Sequence, residues 1–284
     1  MMKENLGFIG TGRMGDALIK GILKAKLTSP TKIYASDIDE NKLKYLHSTL
    51  GIKVSTDNKK TIKNSDIVIF AVKPQIIKNV VLDVAPLITS SNHLLISIAA
   101  GVSTNFLESE LPNRARLVRV MPNIACTVEA SASAICPGSN ATTEDLEKVK
   151  EIFGAVGRVV TVPEYLMDSV TGLSGSGPAF IFMIIEALAD GGVYMGLDRK
   201  TSVTLAAQTV LGAAKMVLEN GAHPGELKDM VTSPAGTTIR GIQVLENYGV
   251  RSAMIDAVIK ASERSKELGN KEVELQKTKK INNF

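Results

Sequence analysis

At 284 residues, with 44% hydrophobic and 22% charged residues, the chain has an ordinary globular composition and is long enough for two domains. A formal charge of +4 spread over both signs, with only 4% aromatic residues, argues against a nucleic-acid binder built on basic blocks and stacking platforms. No run of about 18 uncharged apolar residues offers a membrane span, the opening "MMKENLGFIGTG" lacks a signal-peptide pattern, and two cysteines without metal spacing, Cys126 and Cys136, predict a reduced, metal-free protein of the cytoplasm.

Up to about residue 160, short apolar runs alternate with amphipathic segments. "LGFIG" (6–10) predicts a buried strand and residues 14–26 a helix. "KIYAS" (32–36) predicts a second strand, and "DENKLKYLHSTL" the charged helix after it. "DIVIFAV" (66–72), "HLLISIA" (93–99) and "RLVRVM" (116–121) predict three more strands with helices between them. Near-continuous apolar strands separated by helices predict a parallel sheet covered on both faces. From about residue 164 the strands stop. "PAFIFMIIEALADGGVYMG" (178–196) is apolar on every side, the mark of a helix packed inside an oligomer. Helices over 201–220 and 251–269 follow, and the last fifteen or so residues, polar and Lys-rich, are expected to fray. The predicted fold class is therefore α/β then all-α. A Rossmann-type doubly wound sheet occupies residues 1–163 and a helical domain residues 164–284, with the boundary near Pro163.

The first chemistry lies in "GFIGTGRMGDALIKG", where Gly10, Gly12 and Gly15 form a G-x-G-x-x-G turn between the first strand and the first helix. Gly10 permits the tight turn, Gly12 lets a pyrophosphate approach the backbone, and Gly15 allows close helix–strand packing. The helix N-terminus then offers free N–H groups and a positive dipole end to the phosphates. Thr11, Arg13 and Met14 complete this dinucleotide loop. About twenty residues on, Asp37 ends the second strand, where an acid accepts the ribose 2′-hydroxyl; the competing reading makes Asp37 the N-cap of the next helix. Its carboxylate favours NADH, while Ser36 beside it could donate to the 2′-phosphate of NADPH with help from Lys42. The residues leave that choice open.

"GFIGTGRMG", "AVKPQ" (71–75), "SIAAGV" (97–102), "RVMPN" (119–123), "TGLSGSGPAF" (171–180) and "HPGELKDMVTSPAGTTI" (223–239), in that order, make nearly the whole chain resemble the pyrroline-5-carboxylate reductase family. The resemblance implies a Rossmann domain plus a helical domain that interlocks two subunits, in a homodimer often assembled into a decamer. It implies NAD(P)H as hydride donor, with nicotinamide-side contacts at Ala71, Val72, Lys73 and Pro74 and adenosine-side contacts at Asp37 and Asn58. It also places Met121, Pro122 and Asn123 near the nicotinamide. Two departures fall near the implied active site. Ala235 stands where the family has the first of two glycines, and Ile124-Ala125 stand where it has Thr-Pro.

"TSPAGTTIRGIQVLEN" by itself reads as a helix start, with Ser233 as N-cap, Pro234 at the first helical position and Ile239, Ile242 and Leu245 at apolar spacing. The N–H groups of Gly236, Thr237 and Thr238 then lack intrahelical partners and suit a carboxylate. "TGLSGSGPAF" repeats the device, with Ser176 or Gly177 capping and Pro178 in the first turn. A ketone reductase must protonate a developing alkoxide and needs a Lys, His or Tyr acid. A cyclic imine arrives protonated, so Thr238 need only orient the ring nitrogen. The predicted reaction is hydride transfer to the imine carbon of 1-pyrroline-5-carboxylate, giving proline, with the carboxylate on residues 236–238. Lys215 could instead be the base of a hydroxyacid dehydrogenase, but its amphipathic helix reads as a snorkelling surface. His47, His93 and His223 are isolated, and His223 before Pro224 reads as a local cap.

Overall fold

The computed structural model describes residues 2–89 and 92–281, with side chains through Gly269. Two compact units emerge, one comprising the chain up to Gly175 together with the part from Lys260 onward, the other Ser176–Ile259.

In the first unit, β1 (Leu6–Ile9) leads to α1 (Arg13–Lys24), β2 (Ile33–Ser36) to α2 (Glu40–Leu50), β3 (Lys53–Ser55) to α3 (Asn58–Lys63), and β4 (Ile67–Phe70) to α4 (Pro74–Val84). Next come β5 (Leu94–Ser97), α5 (Thr104–Glu108), β6 (Arg116–Met121), β7 (Ser131–Pro137), α6 (Thr143–Gly154) and β8 (Gly157–Thr161). The sheet order is β3-β2-β1-β4-β5-β6-β7-β8, parallel except for the β6–β7 pair. The order 3-2-1-4-5-6 reverses direction beside β1, which opens a crevice at the carboxyl ends of the strands. Strand Leu94–Ser97 and its neighbours are buried on both faces because separate apolar layers cover each side. One layer joins Leu18, Ile19 and Ile22 of α1 to Val149, Ile152 and Phe153 of α6, and the other is built on Ile77, Val81 and Val84 of α4 with Leu107 of α5.

The doubly wound sheet agrees with the sequence reading, but three strands escape it. β3 is only three residues long, and β7, "SASAICP", offers Ser and Ala where a central strand normally shows branched apolar side chains. β8, "GRVVT", is half-exposed at the sheet edge. The N-cap reading of Asp37 is also corrected. Asp39 caps α2, its side chain accepting from the N–H groups of Asn41 and Lys42.

From residue 164 onward, α7 (Met167–Val170) runs into a π-helical turn (Thr171–Gly175) and then α8 (Gly177–Tyr194). α9 (Arg199–Asn220), α10 (Pro224–Met230), α11 (Thr237–Asn247) and α12 (Val250–Ile281) follow. The polar tail is thus helical as far as Ile281 rather than frayed, since its Glu, Lys and Gln residues are good helix formers; residues 282–284 lie outside the described residues. In the second unit, Gly192 of α8 lies against the buried Ser202 of α9, where a Cβ at 192 would sit 2.8 Å from Ser202 Oγ and displace it.

Helix α8, expected to pack inside an oligomer, has only Ala189 buried within one chain, and Phe182, Met183 and Leu188 are exposed. Leu205 and Leu211 of α9 are exposed too. By length and composition, the helical stretches Glu164–Tyr194 and Arg199–Asn220 are long and apolar enough to cross a membrane. Neither is an uncharged run, since Glu186 and Asp190 interrupt the first stretch and Lys215 the second.

Candidate active site

The glycine turn follows β1 directly. Gly10 takes a left-handed φ of +98°, its N–H donates to Ser36 O at 2.8 Å, and a Cβ there would fall 2.6 Å from Ala71 O. A Cβ on Gly15 would collide with the carbonyl oxygen of Gly10. Both glycines are therefore required by the fold of the loop. Gly12 is different. It is the N-cap of α1 with φ −61° and ψ −174°, a conformation open to any residue, and a Cβ there would meet nothing within 4 Å. Neither backbone nor packing asks for glycine at 12, and the open space at the N-terminus of α1 would admit a group as large as a pyrophosphate.

Asp37 is tied to this loop. Its Oδ2 accepts from the N–H of Thr11 at 2.7 Å and from the Thr11 hydroxyl at 2.8 Å, and its Oδ1 accepts from the N–H of Asp39 at 3.0 Å. Burial pushes the carboxyl up, but the N–H groups of Thr11 and Asp39, the Thr11 hydroxyl and the charge of Lys42 outweigh it, leaving the pKa below the usual carboxylate range. A negative charge thus stands at the end of β2, where a 2′-phosphate would be repelled. Ser36 does not counter it. The side chain is fully buried and its hydroxyl donates to Asn58 Oδ1 at 2.8 Å, so the expected donation from Ser36 to a phosphate is not met. Lys42 leans 3.7 Å from Asp39.

After β4, the Ala71 N–H donates to Ile9 O at 2.8 Å, Lys73 is the exposed N-cap of α4 and Pro74 opens that helix. Arg13 and Met14 begin α1, with Arg13 exposed and Met14 accepting a 3.1 Å contact from the Cys126 thiol. At the end of β6, Met121 is half-buried, while Pro122 and Asn123 are buried. The ends of β1, β2, β4 and β6 thus carry the predicted cofactor residues at one edge of the sheet.

In the second unit the loop "TSPAGTT" differs from the sequence reading. α11 starts at Thr237 with Gly236 as N-cap, three residues later than a Ser233 cap would place it. Ser233–Gly236 is instead a turn in which the Gly236 N–H donates to Ser233 O at 3.1 Å. Gly236 is therefore not a free donor, and the amides left over belong to Thr237 and Thr238 in the first helical turn. A Cβ on Gly236 would press on Ser233 Oγ, so a larger residue there would make the Ser233 side chain turn away. Ala235 sits in the turn at φ +57°, a left-handed conformation that costs an L-residue about 1 kcal/mol or more. Ala235→Gly is expected to raise stability only slightly, by roughly 0.5 kcal/mol, because the added freedom of the unfolded chain offsets most of the relief. Ala235→Val should lower it by about 1–2 kcal/mol, since a branched side chain is least tolerated there. Urea denaturation of the three proteins checks both, and a valine variant as stable as the parent would refute the strain.

The expected second helix start at "GSGPAF" is also corrected. Ser176 has helical φ and ψ, makes no side-chain cap and is preceded by the π-helical turn, so α8 continues a helical run rather than opening one. The sequence reading missed that turn, which has no local signature. It also missed the brace at the start of the run, where Glu164 accepts from the Thr104 N–H at 2.7 Å, from the Thr104 hydroxyl and from Arg119 Nη1 at 3.1 Å. His223 does cap α10, accepting from the Gly225 N–H at 3.0 Å. Lys215 is exposed, 3.6 Å from Glu219.

Residues 164–268 match the profile described as pyrroline-5-carboxylate reductase dimerisation, and residues 5–101 that of NADP oxidoreductase, coenzyme F420-dependent. A pyrroline-5-carboxylate reductase of Methanosarcina acetivorans is 61% identical over 95% of this chain and 100% of its own length. One of Arabidopsis thaliana is 44% identical over 93% of this chain and 95% of its own. Among solved structures, a pyrroline-5-carboxylate reductase from Coxiella burnetii superposes with a TM-score of 0.90 at 36% identity, covering 94% of this chain and 99% of that one. The Plasmodium falciparum pyrroline carboxylate reductase with NADP bound gives 0.84 at 33% identity, covering 95% and 99%.

Proposed function

Because the chain belongs to the pyrroline-5-carboxylate reductase family, we infer that it reduces the C=N bond of 1-pyrroline-5-carboxylate to L-proline, the last step of proline biosynthesis, with NADH or NADPH. The observation that carries this reading is Gly12. An open glycine that the fold does not need, at the N-terminus of α1, suits a dinucleotide pyrophosphate. The turn around Gly10 and Gly15, with Thr11 held on Asp37, keeps the α1 amides aimed at that space. Ala71, Val72, Lys73, Pro74, Met121 and Pro122 border the nicotinamide end of the crevice, and Asp37 and Asn58 its adenosine end. When bound, the reduced nicotinamide supplies the hydride.

The protein's own part is to hold and orient. The amides of Thr237 and Thr238 take the substrate carboxylate at the positive end of α11, with Ser176, Gly177, Ser233 and Gly236 shaping a ring of small residues around it. The Thr238 hydroxyl faces the ring nitrogen and steadies its lone pair as it forms. No proton donor of tuned pKa is needed, since an iminium is neutralised by the hydride itself, and the rate comes mainly from positioning. The exposed apolar faces of α8 and α9 are covered by a second copy, in a homodimer that supplies each crevice with its partner's α11 start and assembles further into a decamer in the cytoplasm.

Steady-state oxidation of NADH and NADPH on addition of pyrroline-5-carboxylate, with proline as product, tests the assignment; no turnover with either would end it. Asp37→Asn keeps an acceptor for the Thr11 N–H but removes the charge. One charge a few ångströms from a 2′-phosphate at an effective dielectric between protein surface and water amounts to roughly 1–2 kcal/mol. The ratio of kcat/KM for NADPH over NADH should therefore rise about tenfold. An unchanged ratio would show that the Asp37 charge does not select the cofactor.

A further inference from the structure

A buried amide in the first unit has no part in the reaction as described so far. Asn123, directly after β6, is only 8% exposed, and its side chain is held at both ends. Oδ1 accepts from the Ala125 N–H at 3.1 Å, and Nδ2 donates to Ser174 O at 2.9 Å. Its own main-chain N–H donates to Ser131 Oγ at 3.2 Å, which lies 3.0 Å from Ser133 Oγ. With Oδ1 and Nδ2 both engaged inside the protein, the side chain is held in one orientation.

What it does reach is informative. Ser174 belongs to the π-helical turn Thr171–Gly175. In a regular helix its carbonyl would accept from the N–H four residues on. That residue is Pro178, which has no N–H. The Ala179 N–H, one further along, donates instead to Ser176 O at 3.0 Å. The Ser174 carbonyl is therefore orphaned by the sequence, and Asn123 supplies the missing donor. The turn is held elsewhere as well. The hydroxyls of Thr171 and Ser174 donate to Met167 O and Val170 O at 2.9 and 3.1 Å, and a Cβ on Gly175 would lie 2.8 Å from Met121 Cε. Ala125 matters for the same reason. Its N–H, which a proline could not provide, turns the Asn123 amide so that Nδ2 and not Oδ1 faces Ser174.

We propose that Asn123, oriented by the Ala125 N–H, is a positioning residue that replaces the donor lost at Pro178 and thereby fixes the π-helical turn delivering Ser176 and Gly177 to the substrate. The inference rests on the reading of Ser176 and Gly177 as substrate contacts. Asn123→Asp keeps the acceptor for Ala125 but sets a carboxylate oxygen against the Ser174 carbonyl. It should lower kcat/KM for the imine by about 10- to 100-fold, the range for a buried carbonyl left without its donor. The dissociation constant of the reduced cofactor, read by fluorescence titration, should stay within about twofold of the parent, inside the scatter of single-contact effects. Adding Pro178→Ala restores an intrahelical N–H for Ser174 and should recover a large part of the lost kcat/KM.

Hydrogen exchange reads the turn without any substrate. Exchange at residues 175–177 should quicken in Asn123→Asp and slow again in the double variant. Cofactor affinity falling in step with kcat/KM would overturn the proposal in favour of direct contact. A lowered melting temperature with unchanged kcat/KM would reduce Asn123 to a stabilising residue, and unaltered exchange at 175–177 would overturn it outright. Should the parent enzyme fail to reduce the imine, the assigned reaction fails, while the exchange arm still decides whether Asn123 governs the turn.

Discussion

Gly12→Val is expected to weaken binding of NADH and NADPH about 100-fold or more while lowering the melting temperature by no more than a few degrees, because valine is a poorer N-cap than glycine but meets no protein atom. Three facts lead there. The φ and ψ of Gly12 are accessible to valine, the space beyond its Cα is empty of protein, and the residue caps a helix whose first amides face that space. A side chain at 12 therefore costs the fold little and would occupy the proposed path of the pyrophosphate. Each hydrogen bond to a charged phosphate that is displaced removes roughly 1.5–3 kcal/mol. Gly15→Ala makes the contrast, since its Cβ would strike the Gly10 carbonyl. It should lose cofactor affinity and also roughly 1–3 kcal/mol of stability, the usual cost of overpacking. Isothermal titration with each cofactor, alongside thermal unfolding, separates the two. A Gly12→Val protein that binds cofactor normally would remove the pyrophosphate from the N-terminus of α1.

The second large effect is expected at Thr238. Thr238→Ala should reduce turnover about 10- to 100-fold, the loss of one hydrogen bond to a group that gains a lone pair in the transition state. Cofactor affinity should not move, because Thr238 sits on α11 and the dinucleotide turn on α1. Thr238→Ser keeps the hydroxyl and should keep most of the rate. Single-turnover measurement of cofactor oxidation isolates the hydride step from product release. An alanine variant with the parent's rate constant would remove the hydroxyl from the reaction and leave Thr238 only its backbone N–H.

The two variants probe parts of the chain that differed in how well they could be read. The glycine turn was legible because its requirements are local: a positive φ at Gly10 and a carbonyl one turn away from Gly15 are consequences of a few neighbouring residues. The α11 start was legible in kind but misplaced by three residues. Ser233 and Pro234 carry the usual marks of a helix cap, yet the chain spends them on a turn, and the helix waits for Gly236. The left-handed conformation of Ala235 has no sign in the alanine itself, and only the glycine that stands there in the family points to it.

By itself the sequence determined the alternation of strand and helix, the dinucleotide turn, the change to an all-helical second half and the motifs that carry the family likeness, since each depends on spacing within one or two turns of chain. Only the tertiary structure decided which polar groups are already engaged. Gly236 proves committed to Ser233, Ser36 to Asn58, Asp37 to Thr11 and Asn123 to Ser174. Partners 22 to 51 residues apart, as in the last three pairs, have no signature in local spacing. A polar side chain reads in sequence as an offer, and only folding settles whether a buried partner accepts it before a ligand can.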